Sequence, residues 1–155
     1  MVTQQRLKEL FTYSDGQFIS NKTGKVKNGT PITKNHRYHR LVVDGKAHVI
    51  HRLVYIYHYG FAPNVIDHID NNRSNNRIEN LREATQQQNC LNRIRHSNNT
   101  SGHKNVRWDS KCKKWVVEMS VNAKRKYFGW FEDLELAAFV AEEARDKYHG
   151  AFARS

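Results

Sequence analysis

One polar stretch carries side chains of the types that phosphate-ester chemistry needs. Residues 65–89 read VIDHIDNNRSNNRIENLREATQQQN. Asp67 and His68 are adjacent at the end of a short apolar run, Asn80 lies twelve residues after His68, and Asn89 nine residues further on. Asp67 offers a hard anionic oxygen and Asn89 a neutral carbonyl oxygen, a pair suited to Mg²⁺, with Mn²⁺ also possible, in a site that keeps several waters and takes a phosphate oxygen. His68 has an unperturbed pKa of about 6.5, so it is neutral near pH 7 and can take a proton from an attacking water. The metal would stabilise charge on the phosphoryl and leaving oxygens.

These groups are distant in sequence, so the chain must bring them together. A strand ending at Asp67–His68, an irregular loop, a second strand over about 81–84 and a helix from Thr85 to about Arg95 would let Asp67, His68 and Asn89 converge. Thr85-Gln86-Gln87-Gln88 matches a capping box, which predicts the helix start. Upstream, Asp15-Gly16 and Asp44-Gly45 each separate short apolar runs and predict tight hairpins among a series of short strands. His51 to Tyr59 predicts a short helix stopped by Gly60. His51 reads as a packing or capping residue of that helix, not a ligand. Gly24 to Gly29 has phosphate-loop spacing, but Thr30-Pro31 follows where Lys-Ser/Thr is required, and the motif fails.

The chain of 155 residues holds 26 Lys+Arg against 15 Asp+Glu, a formal charge of +11 that calls for a polyanionic partner, nucleic acid first. No run approaches the ~20 apolar residues of a membrane span, and the N-terminus lacks a signal-peptide core, so a soluble, cytoplasmic, non-secreted protein is expected. Cys90 and Cys112 are read as reduced, half-buried thiols, and no structural zinc is expected.

The charge is unevenly placed. Arg93 to Lys126 contains ten Lys/Arg and two acids, whereas Glu132 to Lys147 contains six acids and two bases. The basic part alternates like strands (104–109, 114–121 and 124–131) and the acidic part has helical spacing, starting near Asp133, an N-cap residue type, and ending at Gly150. Trp115, Val117, Met119 and Val121 should face a core, against a helix stripe of Leu134, Ala137, Ala138, Ala141, Ala144 and Tyr148. Phe128 and Trp130 are expected to share a face opposite Arg125 and Tyr127, and Trp108, Trp115 and Trp130 are all expected in the core. The outer sheet face would carry Lys104, Arg107, Glu118, Arg125 and Tyr127. The turn-rich run 97–101 reads as a linker between modules 1–96 and 102–155.

The stretch from Val49 to Asn92 resembles the HNH endonucleases, or ββα-metal nucleases, in the branch of phage and intron-encoded homing enzymes. The resemblance rests on His51-Arg52-Leu53-Val54, Asp67-His68-Ile69-Asp70, Asn75-Asn76, Asn80-Leu81-Arg82 and Asn89, in that order. It implies that Asp67 and Asn89 hold the metal, that His68 is the general base, that Asn80 pins the loop and so orients His68, and that duplex DNA is cut to 5′-phosphate and 3′-hydroxyl ends. Asn71 stands where glycine is frequent, and Asn also tolerates a left-handed turn.

Residues 101–155 resemble an AP2 domain, from SGHKNVRWD through KRKYFGWF to HGAFAR. That resemblance implies a three-stranded antiparallel sheet in the DNA major groove with a helix behind it, and DNA contacts at Lys104, Arg107, Glu118, Arg125 and Tyr127. Asp109 and Ser120 depart from plant members, which often carry Arg there. The resulting expectation is an α+β protein: an HNH module, with its ββα-metal motif at about 65–95, followed by an AP2-like reader. It would nick DNA as a monomer, or cut both strands as a DNA-bound dimer. The alternatives are a non-catalytic DNA-binding regulator that keeps the fold and an RNA-directed protein.

Overall fold

A computed structural model describes residues 2–31, 38–92 and 98–153. It is a mixed α/β protein whose chain divides into two compact units, Met1–Asn89 and Cys90–Ser155. The expected continuation of the third helix to Arg95, together with His36 and His96, lies outside the described residues.

The first unit begins with helix α1 (Gln4–Leu10), which the sequence reading did not anticipate. Thr3 caps it by accepting from the Arg6 N–H, and Leu7 is fully buried. The Gln4 amide donates to the carbonyls of Tyr57 and His58, so this short helix is secured largely by tertiary contact. Strands β1 (Phe11–Ser14) and β2 (Gln17–Ser20) pair through Asp15 and Gly16, both at positive φ, as the hairpin expectation required. β3 (Val26–Lys27) adds to β2. A second sheet has β4 (Thr30–Pro31), β5 (His39–Val43) and β6 (Lys46–Val49), with Asp44 and Gly45 at positive φ in the β5–β6 turn. Helix α2 (Ile50–Tyr59) follows and is ended by Gly60 at φ 83°, whose N–H bonds to the Ile56 carbonyl. Leu7, Phe11, Phe18, Val43, Leu53 and Val54 form the core of this unit with Ile66 and Leu81 from the next hairpin.

That hairpin is the part that carries the candidate chemistry. β7 (Ile66–His68) pairs antiparallel with β8 (Leu81–Glu83) in the register Ile66↔Glu83, Asp67↔Arg82 and His68↔Leu81. A 3-10 turn, Ile78–Asn80, leads into β8. Helix α3 (Gln86–Leu91) starts with the expected reciprocal cap: the Thr85 N–H donates to Gln88 Oε1 and the Gln88 N–H to Thr85 Oγ1.

The second unit is a three-stranded antiparallel sheet, in the order β11 (Lys124–Phe131), β10 (Lys114–Val121), β9 (Val106–Asp109), with helix α4 (Leu134–His149) packed on one face. Asp133 caps α4 by accepting from the Leu136 N–H. Ala137, Ala141 and Ala144 are buried, and small side chains there let the helix lie close to Val106 and Val117. Arg145 is also buried, and donates to the Lys104 carbonyl.

Three expectations for this unit fail. Trp130 is 52% exposed and stacks parallel on Tyr127, with ring centroids 6.1 Å apart. The cause is a bulge: Val117 pairs with Gly129 but Glu118 pairs with Tyr127, so Phe128 is extra and the in–out alternation of β11 changes phase. Phe128 still packs toward the core, and Trp130 moves to the Tyr127 face. Gly129 sits at φ 140°, and a Cβ there would meet the Phe131 ring at 2.9 Å. Trp108 is 45% exposed as well, lying edge-on to Trp115 on β9, the strand at the margin of the sheet. Cys90 and Cys112 are both exposed thiols, not half-buried ones, since the helix end and the β9–β10 turn leave them at the surface.

Candidate active site

Asp67 and His68 end β7 and are buried, at 3% and 4% exposure. Burial of a carboxylate demands compensation. Arg82, its register partner on β8, supplies it: Nη2 and Nε lie 2.8 Å and 2.9 Å from Asp67 Oδ2. Arg82 stands in the motif Asn80-Leu81-Arg82, but the sequence assigns it no role. Only the strand register shows that it faces Asp67.

The loop after His68 is organised around Asp70. The Asp70 N–H donates to Asn80 Oδ1 at 3.0 Å, and Asn80 Nδ2 donates both to Asp70 Oδ1 and to the Asn75 carbonyl, each at 2.9 Å. Asn75 Nδ2 and the Asn72 N–H add bonds to the same carboxylate. Burial pushes the Asp70 carboxyl up, but these bonds outweigh it and hold it below its ordinary value. Asn71 stands at φ 60°, the left-handed conformation that its position in the motif allows for. Asn80 thus ties the two ends of the loop together.

His68 itself touches Asn76, whose Oδ1 is 3.4 Å from Nε2. The His51 ring stands perpendicular to the His68 ring at 5.2 Å, and Tyr38 lies against both, at 5.1 Å from His51 and 6.0 Å from His68. The Arg73 guanidinium lies over Tyr38 at 4.8 Å. Burial lowers the His68 pKa from its ordinary 6.5, against the opposing pull of Asn76, Asp70 and Asp67. Burial, with smaller contributions from His68 and Arg52, lowers that of His51 to about 3. Both imidazoles are therefore neutral near pH 7. His51 packs, as expected of it, but against the candidate base, and its buried Nδ1 has no hydrogen-bond partner among the described residues.

The structure brings Asp67, His68 and Asn80 together in one hairpin. Asn89 lies in α3, with its N–H bonded to the Thr85 carbonyl, whereas Asp67 and His68 lie on β7. No cluster of three or more His, Cys, Asp or Glu among the described residues is placed to hold a metal. The expected donor set, one carboxylate and one amide, does not depend on such a cluster.

On the second unit, Arg107, Glu118, Arg125, Tyr127 and Trp130 share the sheet face opposite α4. Glu118 Oε1 is 3.2 Å from Arg107 Nε and 3.8 Å from Arg125 Nη1. Trp130 was missed by strict alternation; the glycine before it was the available signal for a bulge. Lys104 is turned to an internal bond, donating from Nζ to the Leu91 carbonyl. No helix among the described residues is long and apolar enough to cross a membrane.

The family described as HNH endonuclease matches residues 48–91, the span that holds α2, the β7–β8 hairpin and α3. Protein 3.8 of Escherichia phage T7 is 35% identical over 89 residues, covering 57% of this chain and 73% of that protein. A solved structure titled for DNA binding and cleavage by the HNH homing endonuclease I-HmuI is 31% identical, with 74% of this chain and 68% of that one covered and a TM-score of 0.41. The chain therefore belongs to the family that includes Protein 3.8 of Escherichia phage T7, and its residues 48–91 match the HNH endonuclease family.

Proposed function

We propose that the protein is a DNA endonuclease of the homing type that nicks duplex DNA by a one-metal, histidine-base mechanism, with the second unit acting as an AP2-like reader. The observation that carries this reading is a buried imidazole, His68, next in sequence to a buried carboxylate, Asp67, on the hairpin within residues 48–91 that match the HNH endonuclease family. Asp67 and Asn89 are the residues that would hold a divalent ion, Mg²⁺ or Mn²⁺, because a carboxylate and an amide oxygen are hard ligands. When bound, such an ion supplies charge stabilisation at the scissile phosphate. His68 removes a proton from the attacking water. Asn80 holds the 70–75 loop that follows His68, through its bonds to Asp70 and Asn75.

Site preference falls to the second unit. The exposed aromatic pair Tyr127–Trp130 beside Arg107 and Arg125 gives a face with cationic groups for phosphates and flat apolar groups for sugar and base edges. Glu118, held between the two arginines, is an acceptor suited to a base amino group. One active site cuts one strand, so the monomer gives nicked circles, and a double-strand break requires a dimer on the DNA.

A second reading, a non-catalytic DNA-binding regulator, draws on the Asp67–Arg82 ion pair, which already neutralises the carboxylate. The deciding experiment offers supercoiled plasmid and structured RNA in parallel, with Mg²⁺. The nuclease reading expects nicked circles from the plasmid and intact RNA. Binding without nicking would favour the regulator, and preferential RNA cleavage would overturn the choice of substrate.

A further inference from the structure

We propose that Asn76 is the positioning residue of His68, fixing both its ring orientation and its tautomer so that Nε2 carries the hydrogen and Nδ1 the lone pair that accepts a proton. The role of Nδ1 in taking a proton from water rests on the nuclease reading, whereas the tautomer does not.

Asn76 is 6% exposed and is held through both its side chain and its backbone. Its Nδ2 donates to the Ser74 carbonyl at 3.3 Å, which sets the amide so that Oδ1 faces His68. Its own carbonyl accepts from the Tyr13 hydroxyl at 3.0 Å, and that hydroxyl in turn accepts from the Ile78 N–H at 3.0 Å. The carbonyl of the preceding residue, Asn75, is held by Asn80 Nδ2. Tyr13 lies on β1, so the first hairpin of the chain braces the loop that touches the base.

An amide oxygen can only accept. The imidazole nitrogen that faces it, Nε2, must therefore be the protonated one, and a neutral ring then carries its lone pair on Nδ1. Perpendicular packing by His51 restrains the plane of the ring, and Asn76 decides which nitrogen bears the hydrogen. Asn80, by contrast, acts on Asp70 and Asn75 and reaches His68 only through the loop. The 3.4 Å separation is long for a free enzyme's bond, as catalytic hydrogen bonds often are before substrate is present.

The test uses the full chain with ¹⁵N-labelled histidine and long-range ¹H–¹⁵N correlation at a pH where the rings are neutral. The His68 signal is assigned by its loss in His68→Gln. The wild type is expected to show the Nε2–H tautomer at His68. Asn76→Leu, of similar volume without an acceptor, should move His68 toward a mixture of tautomers, while Asn76→Asp, which keeps an acceptor, should retain Nε2–H. In cleavage assays Asn76→Leu should lower kcat by about 10- to 100-fold with KM little changed, and Asn76→Asp should recover part of it. A dominant Nδ1–H tautomer in the wild type, or an unchanged tautomer in a folded Asn76→Leu variant, would overturn the proposal. If Asn76→Leu does not fold, the wild-type spectrum and Asn76→Asp still decide it. A chain that cuts no DNA yet shows the Asn76-dependent tautomer sinks the nuclease reading and leaves this one standing.

Discussion

Arg82 faces Asp67 across the β7–β8 pair, with two of its nitrogens within 2.9 Å of the same carboxylate oxygen, Oδ2. The side chain of Asp67 is almost wholly buried and that of Arg82 largely so. Removing one member of such a pair leaves a charge in a poorly solvating place. Arg82→Ala should therefore destabilise the fold by about 3 kcal/mol, and adding Asp67→Asn should recover much of that loss. Urea unfolding of the two single variants and the double variant checks it. A loss below about 1 kcal/mol for Arg82→Ala would mean the pair contributes only as a surface ion pair does.

His68 should keep its activity into mildly acid solution. Burial lowers its pKa below the ordinary 6.5, so the neutral form needed for proton removal persists to lower pH than in a solvated imidazole. The acid limb of kcat/KM against pH should have its midpoint below 6.5. A midpoint above that value would show that neighbouring carboxylates, Asp70 and Asp67, dominate over burial.

His51 should make the protein acid-labile. The unfolded chain takes up a proton at His51 near pH 6.5, whereas in the folded protein the ring resists protonation until about pH 3. The stability held above pH 6.5 is thus lost on acidification across that window, at about 1.4 kcal/mol per pH unit from this residue. His51→Leu should show a shallower decline of unfolding free energy between about pH 7 and pH 4 than the wild type. Equal slopes would place the acid sensitivity elsewhere.

The hairpins at Asp15-Gly16 and Asp44-Gly45, the stop at Gly60 and the cap at Thr85 were legible because each depends on chemistry within a few residues. So were Asp67, His68 and Asn80, which share one hairpin. What stayed hidden depends on contacts between distant residues. α1 owes its place to Gln4 bonding the end of α2. Arg82 becomes Asp67's partner only through strand register. Asn76 reaches His68 through a loop closed by Asn80 and braced by Tyr13. Trp130 changed faces because a single bulge shifted the phase of β11.

Arg125 is exposed on the face that carries Tyr127 and Trp130, and its contact with Glu118 is loose at 3.8 Å. If it neutralises one phosphate, Arg125→Ala should weaken duplex binding and reduce the slope of log K against log salt by about 0.9. Fluorescence anisotropy across a salt series measures both. An unchanged slope would remove Arg125 from the DNA interface.

The most direct measurement compares wild type and His68→Ala on supercoiled plasmid, with Mg²⁺ or with EDTA, while duplex affinity is measured on the same samples. The expected result is nicking by the wild type with Mg²⁺, none with EDTA, and a loss of at least about 100-fold in His68→Ala at nearly unchanged affinity. Undiminished nicking by a folded His68→Ala variant, or a wild type that binds duplex yet leaves it intact with Mg²⁺, would contradict it.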